Sequence, residues 1–305
     1  MKTIIFGGSG FLGSHVADVL TDRGYDVLIF DKVYSPYLKK GQKMILGDIL
    51  DERAVHAAVQ GTDYVYNFSA LADIDEAHIL PIETVKVNVL GNVNILEASK
   101  NAKVKRFVYS SSIYVFGDAG SFYRSSKQSA ELFIENYQKI YGLDSTILRY
   151  GSLYGPRSNE NNWIYRILKQ ALLEKKITRH GDGEEIREYI HVQDAARLSV
   201  DILKDEYRNR RVIITGNDQM KIKDLLTMVR EILKNDVKIE YLPAKENEHY
   251  TITPYVFNPQ LAMKIHGSEY VDMGQGFLNI LAEIYKKNNL EDKIKSKDSK
   301  EYQLS

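Results

Sequence analysis

The first residues, up to Asp31, constrain the fold more than any other part of the chain. They read MKTIIFGGSGFLGSHVADVLTDRGYDVLIFD. A short apolar run from Thr3 to Phe6 meets a glycine-rich turn, which leads into an amphipathic segment and a second apolar run that ends at Asp31. This order of strand, turn, helix, strand and terminal acid is typical of the first unit of a dinucleotide-binding fold.

Three glycines in the turn have separate predicted tasks. Gly7 is expected to let the chain turn sharply off the strand, Gly10 to let a pyrophosphate approach the backbone, and Gly13 to let the helix pack closely on the sheet. The amides and the dipole at the helix N-terminus favour an anion at this point. Phe11 and Leu12, which open the helix, are predicted cofactor contacts together with the three glycines.

Asp31 bears on which dinucleotide is bound. A carboxylate at the end of the second strand accepts hydrogen bonds from both ribose hydroxyls and repels a 2′-phosphate, which favours NAD over NADP. Lys32 beside it is a further predicted cofactor contact, and its charge weakens this preference, so NADP stays open as the alternative. Further predicted cofactor contacts follow the next strands: Asp48, Ile49, Ser69 and Ala70.

Short apolar runs alternate with helical-period segments as far as about residue 150. The strands predicted from this rhythm are Thr3–Phe6, Val27–Phe30, Met44–Leu46, Tyr64–Phe68, Arg106–Ser110 and Ser145–Tyr150. The predicted helical segments between them include Glu52–Gln60, Ile82–Lys100 and Ser125–Tyr141. The sequence therefore predicts an α/β fold with a doubly wound parallel sheet of the Rossmann type.

A change of rhythm after residue 150 predicts a second part. Residues 1–150 are expected to form the NAD-binding domain, with segments returning to it between about 180 and 220, and 151–285 mainly a smaller C-terminal substrate-binding lobe. Residues 286–305 are charged and poor in large apolar side chains, so a mobile tail is predicted there.

The composition excludes several classes of protein. The formal net charge of the 305 residues is zero, so neither nucleic acid nor a membrane surface is expected as a partner. The chain has no cysteine, which excludes disulfides, thiolate zinc sites and a cysteine nucleophile. The histidines have no metal-binding spacing, so no metal is predicted. No signal peptide or membrane-spanning run is recognised, and a cytoplasmic location is expected.

Tyr123 and Lys127 are the candidate catalytic pair. They stand four positions apart in a segment of helical period, so their side chains share a face. A lysine ammonium near a phenol lowers the pKa of the phenol, which would make Tyr123 a general base near neutral pH. Ser112, at the end of the preceding strand, is expected to hydrogen-bond the same substrate hydroxyl.

As a set, the motifs resemble those of the extended short-chain dehydrogenase/reductase family, in its nucleotide-sugar epimerase/dehydratase branch, of the UDP-glucose 4-epimerase type. They are FGGSGFLG, NFSALAD, NVLGNVNILEAS, VYSSSIYVFG, YRSSK, LRYGSLYGPR and GDGEEIREYIHVQDAA. The resemblance implies NAD in the first domain, a nucleotide-diphosphate sugar as substrate, and Ser112, Tyr123 and Lys127 as the catalytic set, with Tyr123 and Lys127 also touching the cofactor. It implies a homodimer formed through a four-helix bundle of Ile82–Lys100 and Ser125–Tyr141.

Departures from the family pattern narrow the expected reaction. Related 4,6-dehydratases carry an Asp-Glu pair directly after the strand-end hydroxyl residue, and decarboxylases keep an acid there. This chain has Ile113 and Tyr114 at these positions, which disfavours both reactions. The resemblance also implies that Arg187 grips the substrate diphosphate, the alternative being a salt bridge with Glu185 or Asp194.

Three further departures concern the substrate. Ser152 stands where relatives carry a diphosphate-binding asparagine, and it is kept as a substrate-binding candidate. The segment between Ser112 and Tyr123 is short and lacks prolines, which predicts a more open entrance to the site. ENEHYTITPYVF stands where a late nucleotide-binding arginine is expected.

Three hypotheses follow. The first is an NAD-dependent nucleotide-sugar epimerase that transiently oxidises one sugar carbon, with C4 favoured. The second is a net 4-dehydrogenase or 4-ketoreductase acting on the same class of substrate. The third is a non-catalytic NAD(H)-sensing regulator, which the intact set of Ser112, Tyr123 and Lys127 argues against.

Overall fold

The computed structural model describes residues 1–217, 219–243, 263–264 and 269–288. These residues fall into two compact units. The first unit contains Met1–Leu153, Glu185–Met220 and the described residues of 246–270. The second contains Tyr154–Glu184 and the described residues of 221–243 and 271–288.

A parallel sheet forms the centre of the first unit. Its strands among the described residues are β1 (Lys2–Phe6), β2 (Asp26–Asp31), β3 (Lys43–Leu46), β4 (Tyr64–Asn67), β5 (Arg106–Ser112), β6 (Ser145–Tyr150), β10 (Arg210–Ile214) and β13 (Met263–Lys264). They lie in the order β13-β10-β6-β5-β4-β1-β2-β3. All neighbouring strands in this order run parallel. The predicted doubly wound sheet is confirmed.

Helices cover both faces of this sheet, as a parallel sheet requires. The helices of the first unit are α1 (Phe11–Asp22), α2 (Glu52–Val59), α3 (Ile74–Ile79), α4 (Pro81–Val85), α5 (Gly91–Ala102), α6 (Ser121–Tyr141) and α8 (Val192–Asp201), of which α1, α2, α5, α6 and α8 pack on the sheet. One core cluster joins the sheet to α1 and α8, and a second joins it to α2, α5 and α6. The strand order reverses between β1 and β4, and ligands of such sheets bind outside the carboxyl ends of the strands at this reversal.

Two helical predictions differ from the structure by more than one residue at a bound. The predicted helix Ile82–Lys100 is α4, a π-helical turn over Lys86–Leu90, and α5. The predicted helix Ser125–Tyr141 begins earlier, at Ser121, directly after Gly120 in the left-handed conformation (φ +100°). Tyr123 therefore lies in the first turn of α6.

A smaller sheet accompanies the large one. Its strands are β7 (Ser152–Tyr154), β9 (Ile186–His191) and β11 (Gln219–Lys221), in the order β11-β9-β7. β7 and β11 have three residues each, which is too short for a sequence period to reveal.

The second unit is built on two parallel strands, β8 (Lys176–His180) and β12 (Lys238–Leu242). Its helices among the described residues are α7 (Trp163–Glu174), α9 (Ile222–Ile232) and α10 (Met273–Lys287). The predicted tail needs a correction at its start, because Lys286 and Lys287 close the last turn of α10; residues 289–305 lie outside the described part. None of the described helices is long and apolar enough to cross a membrane.

Candidate functional site

The turn after β1 has a shape that only glycines permit. Gly7 adopts a left-handed conformation (φ +75°), and a Cβ there would lie 2.7 Å from the carbonyl carbon of Phe68 and the amide nitrogen of Ser69. A Cβ on Gly13 would lie 2.2 Å from the carbonyl oxygen of Gly7. At Gly10 the nearest atom would be the same oxygen, at 3.2 Å. Gly7 and Gly13 thus serve internal packing, whereas the side of Gly10 is left open to a ligand.

The start of α1 fits a dinucleotide pyrophosphate. Gly10 is the N-cap and has no side chain to occupy the first-turn amides, so those of Phe11 and Leu12 remain available to an anion. The Leu12 side chain is buried in the core, which leaves its backbone as the group that a cofactor would meet. Gly8 was missed by the sequence analysis: a Cβ there would lie 2.8 Å from Ile29 Cγ2, and the doubled glycine of GGSG was the available signal.

Asp31 lies beside this turn at the end of β2. One carboxylate oxygen accepts the amide of Ser9 (2.9 Å) and the other accepts the amide of Val33 (3.2 Å). These bonds fix the carboxylate at the end of the strand, and each oxygen keeps a second lone pair for a ribose hydroxyl. Lys32 forms an ion pair with Asp48 (3.0 Å), so two predicted cofactor contacts neutralise each other.

The remaining predicted cofactor contacts lie at the ends of β3 and β4. Ile49 is buried and packs against Gly91. A Cβ on Gly91 would lie only 2.4 Å from the Cδ1 atom of Ile49, so the Ile49 side chain is part of the core. Ser69 donates its amide to Asn67 Oδ1 (3.0 Å), and Ala70 follows it in the same half-buried loop.

Ser112 and Tyr123 meet where β5 ends and α6 begins. A hydrogen bond from the Ser112 hydroxyl favours the phenolate of Tyr123, and the Tyr123 side chain is half-buried. The Tyr114 ring stands edge-on to the Tyr123 ring, with 6.3 Å between centroids. A Cβ on Gly120 would lie 2.7 Å from the Tyr114 ring, so this glycine makes room for the arrangement.

Lys127 lies one turn further along α6 and is buried. Its Nζ donates to the carbonyl oxygen of Ser110 (2.7 Å). The same nitrogen lies 5.7 Å from the centroid of the Tyr123 ring and 4.9 Å from that of Tyr109. The structure therefore brings three predicted residues, Ser112, Tyr123 and Lys127, together at the end of β5.

The expected direction of the Tyr123 pKa is wrong for the ligand-free chain. Burial raises the pKa of Tyr123 to about 12, and the bond from Ser112 acts against this only in part. Burial lowers the pKa of Lys127 to about 7, opposed by the Glu131 carboxylate. The sequence spacing predicts that the two groups lie close together. In the folded chain, however, the loss of hydration shifts the pKa of each group more than its neighbours do.

Ser152 and Arg187 belong to the smaller sheet. Ser152 opens β7 and is half-buried, while Arg187 lies on β9, is buried, and donates Nη1 to the carbonyl oxygen of Ile186 (3.1 Å). Of the two acids considered for Arg187, Asp194 pairs with Arg197 on α8. The segment ENEHYTITPYVF lies outside the described residues.

The short connection between Ser112 and Tyr123 is fastened to α6. Ile113–Phe116 forms a 3₁₀ turn after β5. Arg124 donates to the carbonyl oxygen of Gly117 (3.0 Å) and Gln128 to that of Val115 (3.0 Å). Ile113 is buried in a small apolar cluster, so its side chain serves packing.

The comparisons with known proteins agree with this geometry. A model of the NAD dependent epimerase/dehydratase family matches residues 3–214. The chain belongs to this family. Its cofactor is NAD. The glycine turn between β1 and α1 and the Asp31 carboxylate fit that cofactor. The family and cofactor predicted from the sequence are confirmed.

Two curated relatives and one solved structure illustrate the similarity. The UDP-N-acetyl-alpha-D-glucosaminuronate decarboxylase of Bacillus cytotoxicus is 26% identical over 79% of this chain and 83% of its own. The UDP-glucuronate 4-epimerase of Thermodesulfobacterium geofontis is 27% identical over 78% of this chain and 83% of its own. The structure of the UDP-glucose 4-epimerase of Thermotoga maritima, solved with UDP-glucose, matches this chain with a TM-score of 0.81 at 25% identity. The match covers 94% of this chain and 99% of the T. maritima chain.

Proposed function

We propose that this member of the family is a nucleotide-sugar 4-epimerase in which Tyr123 is the general base. The observation that carries the proposal is the convergence of Ser112, Tyr123 and the buried amine of Lys127 at the end of β5, where Lys127 Nζ lies 5.7 Å from the centroid of the Tyr123 ring. These are the groups that proton removal from a sugar alcohol requires: an acceptor, a hydroxyl that orients the substrate, and a cation that favours the phenolate.

The proton steps follow from the positions of these groups. Ser112 orients the sugar hydroxyl, and the Tyr123 oxygen accepts its proton as the carbon is oxidised. NAD, when bound, supplies reversible hydride transfer. After the ketosugar has turned its other face, Tyr123 returns the proton to the same oxygen. Lys127, in its charged form, stabilises the phenolate before it takes the proton and again after it has returned it, because opposite charges attract more strongly in a buried site.

Elimination of water and loss of carbon dioxide are disfavoured by the residues after Ser112. Ile113 is buried and apolar, and the Tyr114 ring packs at 82° against the Tyr123 ring. Neither side chain offers a carboxyl group for the second proton transfer that a dehydratase needs. Simple redox at one carbon, followed by reduction on the other face, needs no such group.

The proposed substrate is a sugar joined to a nucleoside diphosphate. Ser152 and Arg187 are proposed to bind the diphosphate, because a guanidinium fork can donate to two phosphate oxygens at once. UDP sugars are the first substrates to test, since the relatives from B. cytotoxicus, T. geofontis and T. maritima are named for them.

We further propose that the enzyme is a homodimer joined through α4 and α6. These helices pack against each other and expose large apolar side chains, which a second copy would cover. The exposed large apolar residues on them are Ile82, Val85, Phe122, Leu132, Phe133, Ile140 and Tyr141.

The test of the reaction uses a panel of UDP-, dTDP- and GDP-sugars incubated with the purified protein. NADH absorbance and the sugar products, separated by chromatography, are followed together. The proposal expects a new epimer with no net formation of NADH. Accumulation of NADH or of a ketosugar would instead identify a net 4-dehydrogenase, and failure to convert any sugar would leave the regulator hypothesis.

A further inference from the structure

Glu131 is a buried carboxylate that the proposed reaction does not use. It lies on α6 four residues beyond Lys127 and eight beyond Tyr123, so the three side chains share one face of the helix. Its side chain is 4% exposed. A carboxylate buried to this degree needs charged partners and hydrogen bonds to offset its lost hydration.

The partners of Glu131 lie on two adjacent strands. Arg149 donates Nε to one carboxylate oxygen (3.0 Å) and Nη2 to the other (2.6 Å), and the Ser111 hydroxyl donates to the first oxygen (2.5 Å). Ser111 on β5 and Arg149 on β6 are register partners in the sheet. Glu131 therefore ties α6 to both strands at once.

Consecutive residues of β5 hold the same helix face. The Ser110 carbonyl accepts from Lys127, while the hydroxyl of Ser112 bonds to Tyr123. Ser111, between them, is the residue that Glu131 holds. A shift of Ser111 would displace both neighbours, so the Glu131 contact helps to set the positions of the two α6 side chains that they hold, Lys127 and Tyr123.

The charge of Glu131 acts on the same lysine. Burial lowers the pKa of Lys127 and the Glu131 carboxylate opposes this shift. The resulting pKa of Lys127 is about 7. The Tyr109 and Tyr123 rings also face the Lys127 amine. Two cations lie around the carboxylate itself: Arg149, and Arg211 from β10 with its Nε at 3.7 Å.

We propose that Glu131 is a positioning residue: it fastens α6 to the end of β5 and holds a carboxylate one helical turn from Lys127, on the same face of α6. The inference deepens the proposed function and rests on it for its catalytic consequence. Its physical content, the effect of Glu131 on Lys127, is measurable in the protein without sugar or cofactor.

The direct test is a titration of Lys127 by NMR in ligand-free protein carrying carbon-13 at the lysine ε-carbon. The Lys127 resonance is the one that Lys127→Met removes. In Glu131→Gln its titration midpoint is expected to fall by about one pH unit, because a close opposite charge has been removed. Glu135→Gln, the same chemical change one turn further along α6, is expected to leave the midpoint in place. An unchanged midpoint in Glu131→Gln would overturn the proposal.

Kinetics supply the second readout. Glu131→Gln is expected to move the alkaline limb of kcat/KM to lower pH by about the same one unit, since Lys127 then loses its proton earlier. A carboxylate that only stabilised the fold would lower the melting temperature and leave that limb in place. Absence of any epimerase activity in the unaltered protein would refute the proposed function and leave the NMR result intact.

Ser111→Ala keeps the test decisive if Glu131→Gln does not fold. It removes one hydrogen bond and retains the charge. Because misplacement of the reacting groups lowers the rate, kcat is expected to fall about tenfold while KM for the sugar changes by less than about twofold. An unchanged kcat would contradict the positioning role.

Discussion

A Cβ placed on Gly13 would lie 2.2 Å from the carbonyl oxygen of Gly7, a distance that no methyl group can occupy. The same addition at Gly10 meets its nearest atom at 3.2 Å. The two glycines therefore differ in purpose, although the sequence presents them as equal members of one motif. Gly13 permits the turn to pack, and Gly10 leaves space for the cofactor.

Alanine substitutions separate these purposes. Gly13→Ala is expected to lower the free energy of unfolding by about 1–3 kcal/mol through overpacking, measured by urea denaturation without cofactor. Gly10→Ala is expected to cost less than about 1 kcal/mol and to weaken NAD binding, measured by fluorescence titration, because its methyl group occupies the open side of the turn. Equal losses of stability in the two variants would contradict this assignment.

Asp31→Asn tests the choice between NAD and NADP. Loss of the negative charge weakens the bonds to the ribose hydroxyls and removes the repulsion of a 2′-phosphate. The ratio of NAD to NADP affinity is expected to fall about 10- to 100-fold, since a hydrogen bond to a charged group contributes about 1.5–3 kcal/mol. Asp26→Asn, at the other end of the same strand, serves as the matched control. A ratio that stays constant would exclude the proposed role of Asp31.

His191 is expected to make the protein sensitive to mild acid. Burial, with smaller effects from His15 and Arg197, lowers the pKa of His191 to about 4 from an ordinary 6.5. The unfolded chain therefore binds more protons between these values, and stability falls as the pH drops from 6.5 towards 4. The loss amounts to roughly 3.4 kcal/mol at most, at about 1.36 kcal/mol per pKa unit.

His191→Asn provides the check. Asparagine retains an N-cap for α8, which His191 supplies by accepting the amide of Gln193 (3.4 Å). Denaturation curves between pH 4 and 7 are expected to show a shallower pH dependence in this variant. The exposed His78, changed to Asn, should leave the dependence as it is. Equal slopes for His191→Asn and the unaltered protein would refute the prediction.

The proposed dimer predicts a response to charge on α6. Ile140 is 68% exposed, and Ile140→Glu would place a carboxylate in the apolar interface. Sedimentation velocity is expected to report a dimer for the unaltered protein and a monomer for Ile140→Glu. Leu278→Glu, at an exposed apolar position on α10, is the control and should remain dimeric. A monomeric unaltered protein would contradict the proposal.

The Rossmann strands were predictable because each is a short apolar run beside a turn signal. β6 was predicted with its observed ends, and β2 within one residue at each end. The buried parallel sheet supplies this signal, since both faces of its strands must be apolar. α3 was missed because it has six residues, too few for a helical period to appear.

The sequence predicted which residues form the candidate site better than it predicted their pKa values. Four-residue spacing placed Tyr123 and Lys127 on one face, and the same spacing extended once more would have found Glu131. The direction of the Tyr123 pKa was not predictable, because it depends on how deeply the phenol is buried. The partners of Glu131 come from β5 and β6, so only the folded sheet brings them together.

The most direct test of the central claim compares Tyr123→Phe with Tyr137→Phe, a change of the same kind further along α6, on the nucleotide sugar that the panel identifies. Tyr123→Phe is expected to keep NAD binding and to lower kcat about 10²- to 10⁴-fold, the contribution of a positioned general base. Tyr137→Phe is expected to retain full turnover. Undiminished epimerisation by Tyr123→Phe would contradict the claim that this phenol moves the proton.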